Sequence, residues 1–487
     1  MSEENGNLKK SAFSGFVWKL AERLGSQGVS LVVSIVLARL LLPKDYAVVG
    51  VVTIFFSFCN MIVSDGLSTA LIQKKDADEI DYNTILYVSL SLSVVLYFAL
   101  FFTAPLIEGI YDLPLVVPIR VMGITLLVNA FKSVLCAYVS SSLQFKKFFL
   151  STLAGNVFSA VIGIGMAMGG FGVWALIAQQ MSNSIIGTVV LFFTTKFKVL
   201  FVLSLKRLKA LFSYGWKILV MSAISVLYEE INPMVVGLKF TPVDLSFYTK
   251  GKSFPSLINT TVSDTLSSVL FPVMSKIQDS KEAILDITRK YIKVASYLIF
   301  PLMCGFFAVA ENFVKLLLTE KWLPAVPYIQ IFCISCMFQV IHIGNIQAIK
   351  AIGRSDVCLI MEIVKKVLYF LIIVAFVFFS KSPTILALSS IVCNLIATVI
   401  NTFPNRKLIG YKYRYQIIDL LPNLFIALTM CAIVLAMNSL PLSPLVLMAL
   451  QVISGAVIYL LLSIVTRNDN LKYLLKTAKQ FLKREIN

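Results

Sequence analysis

Histidine occurs once in this sequence, at His342, and acids are scarce: 25 Asp and Glu stand against 43 Lys and Arg. One imidazole cannot assemble a histidine-rich metal centre. Its plainest reading is a hydrogen-bonded packing residue, with a proton relay as the alternative. Charge of either sign is thin, at 14% of residues, less than a water-soluble chain of this length carries. The eight cysteines (Cys59, Cys136, Cys304, Cys333, Cys336, Cys358, Cys393, Cys431) all lie in apolar runs. That pattern reads as small buried hydrophobes, not a disulfide framework. Cys333 and Cys336 form a C-x-x-C with no partner pair, so no metal or redox role follows. Phosphate-cradling glycine loops, dinucleotide fingerprints and paired-carboxylate constellations are missing. The chain therefore reads as a non-enzyme that needs no cofactor.

What the sequence has in abundance is apolar length. Hydrophobic residues make up 58% of it and the mean hydropathy is +0.86, so the bilayer is the expected solvent. The net charge of +18 then points to loops facing anionic lipid and not to nucleic acid. Apolar runs of about 20 residues read as transmembrane helices. They fall near 14–38, 46–71, 83–107, 115–139, 148–168, 171–194, 212–238, 246–273, 291–313, 325–349, 357–380, 383–403, 417–438 and 443–465. The expected fold is an all-α integral membrane protein of about fourteen spans. No cleavable signal peptide is expected, because the run after Lys9–Lys10 carries charge and lacks a small-residue cleavage site.

Loop charge sets the orientation. Lys74–Lys75, Lys146–Lys147, Lys206, Arg207, Lys209, Arg289–Lys290, Arg406–Lys407 and the basic C-terminal tail share one side. The opposite loops hold only Arg39, Lys44, Lys239, Lys321 and Lys381. Both termini are therefore expected in the cytoplasm. The tail "LKYLLKTAKQFLKREI" (471–486) alternates apolar and lysine faces and is expected to lie on the cytoplasmic leaflet.

The chain also repeats itself. "NMIVSDGLSTAL" (60–71) matches "NTTVSDTLSSVL" (259–270), 199 positions on, and "LPKD" (42–45) matches "TPVD" (241–244) at the same offset. "FVWK" (16–19) matches "YGWK" (214–217) one position out of that register. Six spans separate the copies, so both enter the membrane from one side, as in parallel-repeat transporters. The expected division is an N-terminal lobe over 1–205, a second lobe over 206–410, and two extra spans with the tail over 411–487. A central cavity between the six-helix lobes is expected.

Both copies keep a polar face. At 100° per residue Ser57, Asn60 and Ser64 share an arc on span 2, as do Ser256, Asn259 and Ser263 on span 8. Small hydroxyls alone suit helix packing. Cations inside spans are costlier. Lys19, Arg23, Arg120, Lys132, Lys217, Lys250, Lys252, Lys315, Lys365 and Lys366 outnumber the acids Glu22, Asp65, Glu229, Glu230, Asp264, Glu311 and Glu362. Glu362 and Lys366 sit at i, i+4 and are expected to pair. A cavity lined by the surplus would draw an anion, and phosphate suits Lys and Arg. Asp65 projects about 140° from Asn60, and Asp264 occupies the same place in its copy. These two acids, with Glu229 nearby on span 7, read as structural pairing sites, with ion coupling as the other reading.

At this point a family resemblance enters. "SDGLSTALIQKKD" (64–76), "VLFPVMSKIQD" (269–279), "EKWLPAVPYIQIF" (320–332) and "NIQAIKAIGRSDVCLIMEIVKK" (345–366) resemble segments of bacterial polysaccharide flippases. These are the Wzx-type members akin to colanic-acid and teichuronic-acid exporters, within the multidrug/oligosaccharidyl-lipid/polysaccharide exporter superfamily. The resemblance spans essentially the whole chain. It implies transport of an undecaprenyl-pyrophosphate-linked oligosaccharide across the bacterial inner membrane, with membrane lipid and the polysaccharide polymerase and export machinery as partners. It carries an anion-binding role onto Lys19, Arg23, Arg120, Lys132, Lys217, Lys250 and Lys252. A drug exporter of the same superfamily would want acids in its cavity, the wrong sign here. A polytopic polymerase or ligase would need a sizeable outer loop, and the outer turns are short.

Overall fold

A computed structural model describes Arg23 and residues 25–476, apart from 75, 143, 276, 278, 279 and 475. The side chains of 145, 214, 264, 265, 267–269, 271–273, 275 and 355 are not described either. Lys19, Glu22 and most of the basic tail thus lie outside the described residues. Every described element is helical. The chain runs α1 (Gly25–Leu40), α2 (Pro43–Ser64), α3 (Gly66–Gln73), α4 (Glu79–Tyr111), α5 (Val116–Gly123), α6 (Thr125–Ser141), α7 (Phe145–Met168), α8 (Val173–Thr195) and α9 (Leu205–Lys239). It continues through α10 (Pro242–Ser275), α11 (Lys281–Phe313), α12 (Val326–Ala351), α13 (Ser355–Phe379), α14 (Pro383–Thr402), α15 (Asn405–Leu408), α16 (Tyr413–Ala436) and α17 (Pro444–Val465).

Eleven of the described helical stretches are long and apolar enough to cross a membrane. The other three segments expected to span are helical too. Of these, α1 is described over a short length, α10 carries Asp244, Lys250 and Lys252, and α13 carries Glu362, Lys365 and Lys366. Two spans are each built from two helices: α2 and α3 meet at Asp65, and α5 and α6 at Ile124.

The sequence repeat is visible in the capping chemistry. Leu42 precedes Pro43 at the first turn of α2, and its N–H donates to Asp45 Oδ2 at 2.9 Å. At α10 the N–H of Thr241 donates to Asp244 Oδ2 at 3.2 Å, and the Asp244 N–H donates to Thr241 Oγ1 at 3.0 Å. Proline needs no amide partner in a first turn, and the acid three residues after the cap folds back onto an orphan N–H. The matched "LPKD" and "TPVD" are thus the same device used twice.

By contact the chain forms two compact units, Met1–Ser246 and Phe247–Asn487. In the first, α3, α4, α6, α8 and α9 gather around Leu71, Ile85, Leu135 and Leu191. Helix α9 opens the second copy of the repeat, yet it packs in this unit against α2 and α3. Its Gly215 meets Gly66 backbone to backbone, an approach that only small residues allow. In the second unit α11 packs against α12, α16 and α17. A π turn at Val314–Leu318 and a 3₁₀ turn at Glu320–Ala325 join α11 to α12, with Trp322 fully buried.

The segment joining α8 to α9 is strapped to the start of α4. Asn83 Nδ2 donates to Lys198 O at 3.1 Å, and its Oδ1 accepts the Leu200 N–H at 2.8 Å. The Ser204 N–H donates to Thr84 Oγ1 at 3.2 Å. Arg207 pairs with Asp78 and Asp81, and Lys74 Nζ reaches Asp81 Oδ2 at 2.5 Å. The Arg207 guanidinium holds the Asp78 carboxyl down at about 2, below the ~3.9 of a free Asp. A depressed acid contributes stability that is complete above the unfolded value and is lost as pH falls through the folded one. The strap is therefore expected to hold at pH 4 and loosen at pH 2. Pepsin, active at both, should cut the purified protein near exposed Phe201 faster at pH 2, whereas Arg207→Gln should be cut readily at both. Equal rates for the two proteins at pH 4 would remove Arg207 from the strap.

Candidate functional site

Within the first unit a polar recess of about 440 Å³ opens between α2–α3 and α6. Asn60 and Ser64 of α2 face Asn129, Lys132 and Ser133 of α6 across it. A smaller one of about 260 Å³ adjoins it through the shared Asn129 and Lys132 and is bordered on the far side by Gln179, Gln180 and Ser184 of α8. Its walls are fixed by side-chain amides. Asn129 Nδ2 donates to Asn60 Oδ1 at 2.9 Å, and Ser184 donates to Asn129 Oδ1. Behind them Asn183 Nδ2 donates to Asn156 Oδ1 at 2.5 Å, and Asn156 Nδ2 donates to Ser26 Oγ at 2.7 Å. This network ties α1, α7 and α8 together. In an apolar solvent such amides hold helices in place because their alternative is an unsatisfied group.

Lys132 borders both recesses. It is half-buried and has no ion-pair partner among the described residues. Gly187 of α8 lies beside it, where a Cβ would make an ordinary 3.6 Å contact with Lys132 Nζ. The other cations expected to share a cavity are elsewhere. Arg120 Nε donates to Phe101 O at 3.4 Å, and its guanidinium lies 3.9 Å over the Phe101 ring. Lys217 is exposed and Arg23 half-buried. In the second unit Lys250 is buried with its Nζ 5.8 Å from the Trp322 ring and 5.6 Å from the Phe254 ring. Lys252 is half-buried and acts electrostatically on Cys336. Lys19 lies outside the described residues.

The second copy of the stripe repeats the amide clamp. Asn259 Nδ2 donates to Gln339 of α12, and Ser263 donates to Asn259 Oδ1 at 3.2 Å. Asn60–Asn129 and Asn259–Gln339 are thus equivalent cross-helix bonds. Ser57 and Ser256 are half-buried one turn before these amides. Each expected stripe is therefore polar and inward, but its partners come from α6 and α12. Those partners were not singled out from sequence; their only signal is an isolated amide within an apolar helix.

Asp65 borders the same recess as Asn60. Its backbone stays α-helical and its N–H donates to Met61 O at 3.0 Å, so the uniform 100° step carries from Asn60 to it. Its carboxylate also accepts a hydrogen bond from Ser222 of α9. The Asp264 side chain lies outside the described residues, and Glu229 is exposed. On α13 Glu362, expected to pair with Lys366, pairs with Lys365 at 2.5 Å. All eight cysteines are free thiols, and Cys304, Cys333, Cys336, Cys393 and Cys431 are buried. Three of them, Cys304, Cys333 and Cys431, help line a wholly apolar recess of about 400 Å³ among α11, α12 and α16.

Comparison with known proteins places this fold. The chain matches the lipid II flippase MurJ in its inward closed conformation with a TM-score of 0.76, at 13% identity over 94% of this chain and all of that one. It matches an inward-facing multidrug resistance MATE family transporter at 0.62 and 14% identity, over 79% of this chain and 94% of that one. By sequence it is 25% identical to the succinoglycan biosynthesis transport protein ExoT of Rhizobium meliloti, over 65% of each chain. It is 22% identical to the lipopolysaccharide biosynthesis protein WzxC of Escherichia coli, over 85% of each. The chain is a multi-pass membrane protein of the MurJ/MATE-like transporter fold. The polysaccharide biosynthesis protein family matches over residues 36–327, more than half the chain, and it is to that family that this protein belongs.

Proposed function

We propose that this protein flips an undecaprenyl-pyrophosphate-linked oligosaccharide from the cytoplasmic to the outer leaflet of a bacterial inner membrane. In this reading fourteen spans form two parallel-repeat lobes plus two extra helices, both termini are cytoplasmic, and rocking of the lobes alternates access to a cavity between them. The observation that carries it is Lys132. A cation without an ion-pair partner among the described residues faces a polar recess in a chain of a polysaccharide biosynthesis family. Holding a lysine inside a membrane domain is costly, and a pyrophosphate entering the recess would give it a partner. The hydroxyls and amides around it suit a glycan. The apolar recess of the second unit suits a polyprenyl chain.

The test is transport in proteoliposomes. The probe is undecaprenyl pyrophosphate bearing a fluorescent N-acetylglucosamine, and dithionite quenching reports its leaflet. The protein is expected to speed equilibration at least tenfold over protein-free vesicles. A matched lipid with a quaternary ammonium headgroup should gain nothing. Equal acceleration of both lipids would sink the anion reading and favour a drug exporter.

A further inference from the structure

Another recess of the first unit lies apart from the polar ones. It measures about 340 Å³ and runs between α2–α3, α4 and α9. Four of its lining residues, Lys209, Phe212, Trp216 and Leu219, fall three or four apart on α9 and so form one stripe. Val88 and Leu92, one turn apart, line it from α4, and Gly66 and Gly215, which also border it, add no side chain.

Its two ends differ in depth. Helix α9 begins at Leu205, but the stretch of it that is apolar enough to cross a membrane begins at Gly215. Lys209 thus stands six residues, roughly 9 Å, before the span, at headgroup depth. Leu219 lies ten residues beyond Lys209, roughly 15 Å, which is about the hydrocarbon depth of one leaflet. Apart from Lys209 the lining is apolar side chains, one tryptophan and glycine. Water there would find few partners, and an empty groove forfeits contacts that a hydrocarbon chain supplies. The charge sits at one end only. Arg207 is engaged by Asp78 and Asp81. Lys209 and Lys206, one turn apart, are exposed and have no ion pair among the described residues.

We infer that this recess binds an anionic glycerophospholipid, with one acyl chain laid along α9 and the phosphate held by Lys209 with Lys206 beside it. A lysine at this depth keeps its stem on apolar surface and its ammonium among the headgroups, where each basic residue attracts anionic lipid. A soluble phosphate would meet the lysines but leave the groove unfilled. A zwitterionic lipid would fill the groove but bring its own cation beside the lysines. An anionic lipid satisfies both ends. The site needs a bilayer but no transport substrate, so it stands apart from the flippase reading.

Trp216 lines the groove and is exposed, so its fluorescence reports the occupant. The full-length protein is placed in phosphatidylcholine nanodiscs containing rising amounts of phosphatidylglycerol or phosphatidylcholine brominated on identical acyl chains. The Trp216 emission is the difference between wild type and Trp216→Phe. Brominated phosphatidylglycerol should half-quench it at a mole fraction at least about fivefold lower than brominated phosphatidylcholine, the preference that one basic residue near a membrane surface supplies. Lys206→Gln and Lys209→Gln together should remove that preference. Lys407→Gln, which changes an exposed lysine of the second unit, should keep it. Equal quenching by the two lipids, or a preference that survives the double substitution, overturns the anionic site. A Trp216 that neither lipid quenches would mean that protein covers the groove. Loss of the preference in excess inorganic phosphate, at constant ionic strength, would mean that the lysines take a soluble anion. Either result also overturns the lipid site.

Discussion

Lys132→Met is expected to cut flipping of a pyrophosphate-linked lipid at least tenfold while leaving folded yield and thermal midpoint unchanged. Several charged residues are held by partners: Asp419 is gripped by Arg289, Lys293 and Tyr411, Glu311 by Lys315, Asp356 by Arg354. Removing one member of such a set leaves the other uncompensated, and the loss appears as stability. Lys132 has no such partner among the described residues, so methionine strands nothing and keeps most of the apolar stem. What methionine removes is charge facing the recess. A tenfold loss corresponds to about 1.4 kcal/mol, within reach of one charge-assisted contact to an anion. Lys132→Arg should keep most of the rate, because it keeps the charge. Added salt should weaken the wild type more than the methionine variant, since part of the anion's attraction is screened. Full activity in Lys132→Met, or a fall in folded yield matching the fall in rate, would show that the lysine is not the anion's contact.

The helices and the repeat were legible in the sequence because both rest on local chemistry. Spans follow from apolar length, and the starts of α2 and α10 follow from a proline and a returning acid. The polar face of span 2 was legible for the same reason: Asn60 and Ser64 lie one helical turn apart. Its partners were not. Asn129 reaches Asn60 across a separation of 69 residues and Ser184 reaches Asn129 across 55, and no periodicity within one helix records which amide on another will meet it. Among the cations, sign and count could be read, but destination could not. Arg120 turns onto Phe101 and Lys250 settles among aromatic rings, because a long side chain takes whatever neighbour tertiary packing supplies. Asp65, projected away from Asn60, still borders the same recess, because an angular step along one helix does not record how far around it a recess extends.

Gly66→Val is expected to destabilise the protein by about 1–3 kcal/mol, the usual cost of forcing extra atoms into a packed interface. A Cβ on Gly66 would lie 2.9 Å from Leu219 Cβ and 3.0 Å from the Gly215 carbonyl oxygen, and one on Gly215 would lie 3.0 Å from the Gly66 oxygen. For Gly66 the Gly215 oxygen is backbone and the Leu219 Cβ is fixed to it, so neither can swing aside, and α9 must move off α3. Gly109→Val on α4 is the matched control, because a Cβ there meets nothing within 4 Å. Thermal unfolding in detergent should show a fall for Gly66→Val well beyond that of Gly109→Val, with Gly66→Ala between them. Equal falls would mean that the contact between α3 and α9 yields freely. The position is informative because the repeat breaks there: "VSDGLSTAL" has Gly66 where "VSDTLSSVL" has Thr265. The first run keeps a glycine where α9 crosses it, and its neighbour Asp65 accepts from Ser222 of the same helix. Together they bind the opening helix of the second copy to the first unit. A variant that loosens this contact without unfolding the protein should therefore also alter the flipping rate, since any rocking of the lobes must carry α9 with one partner or the other.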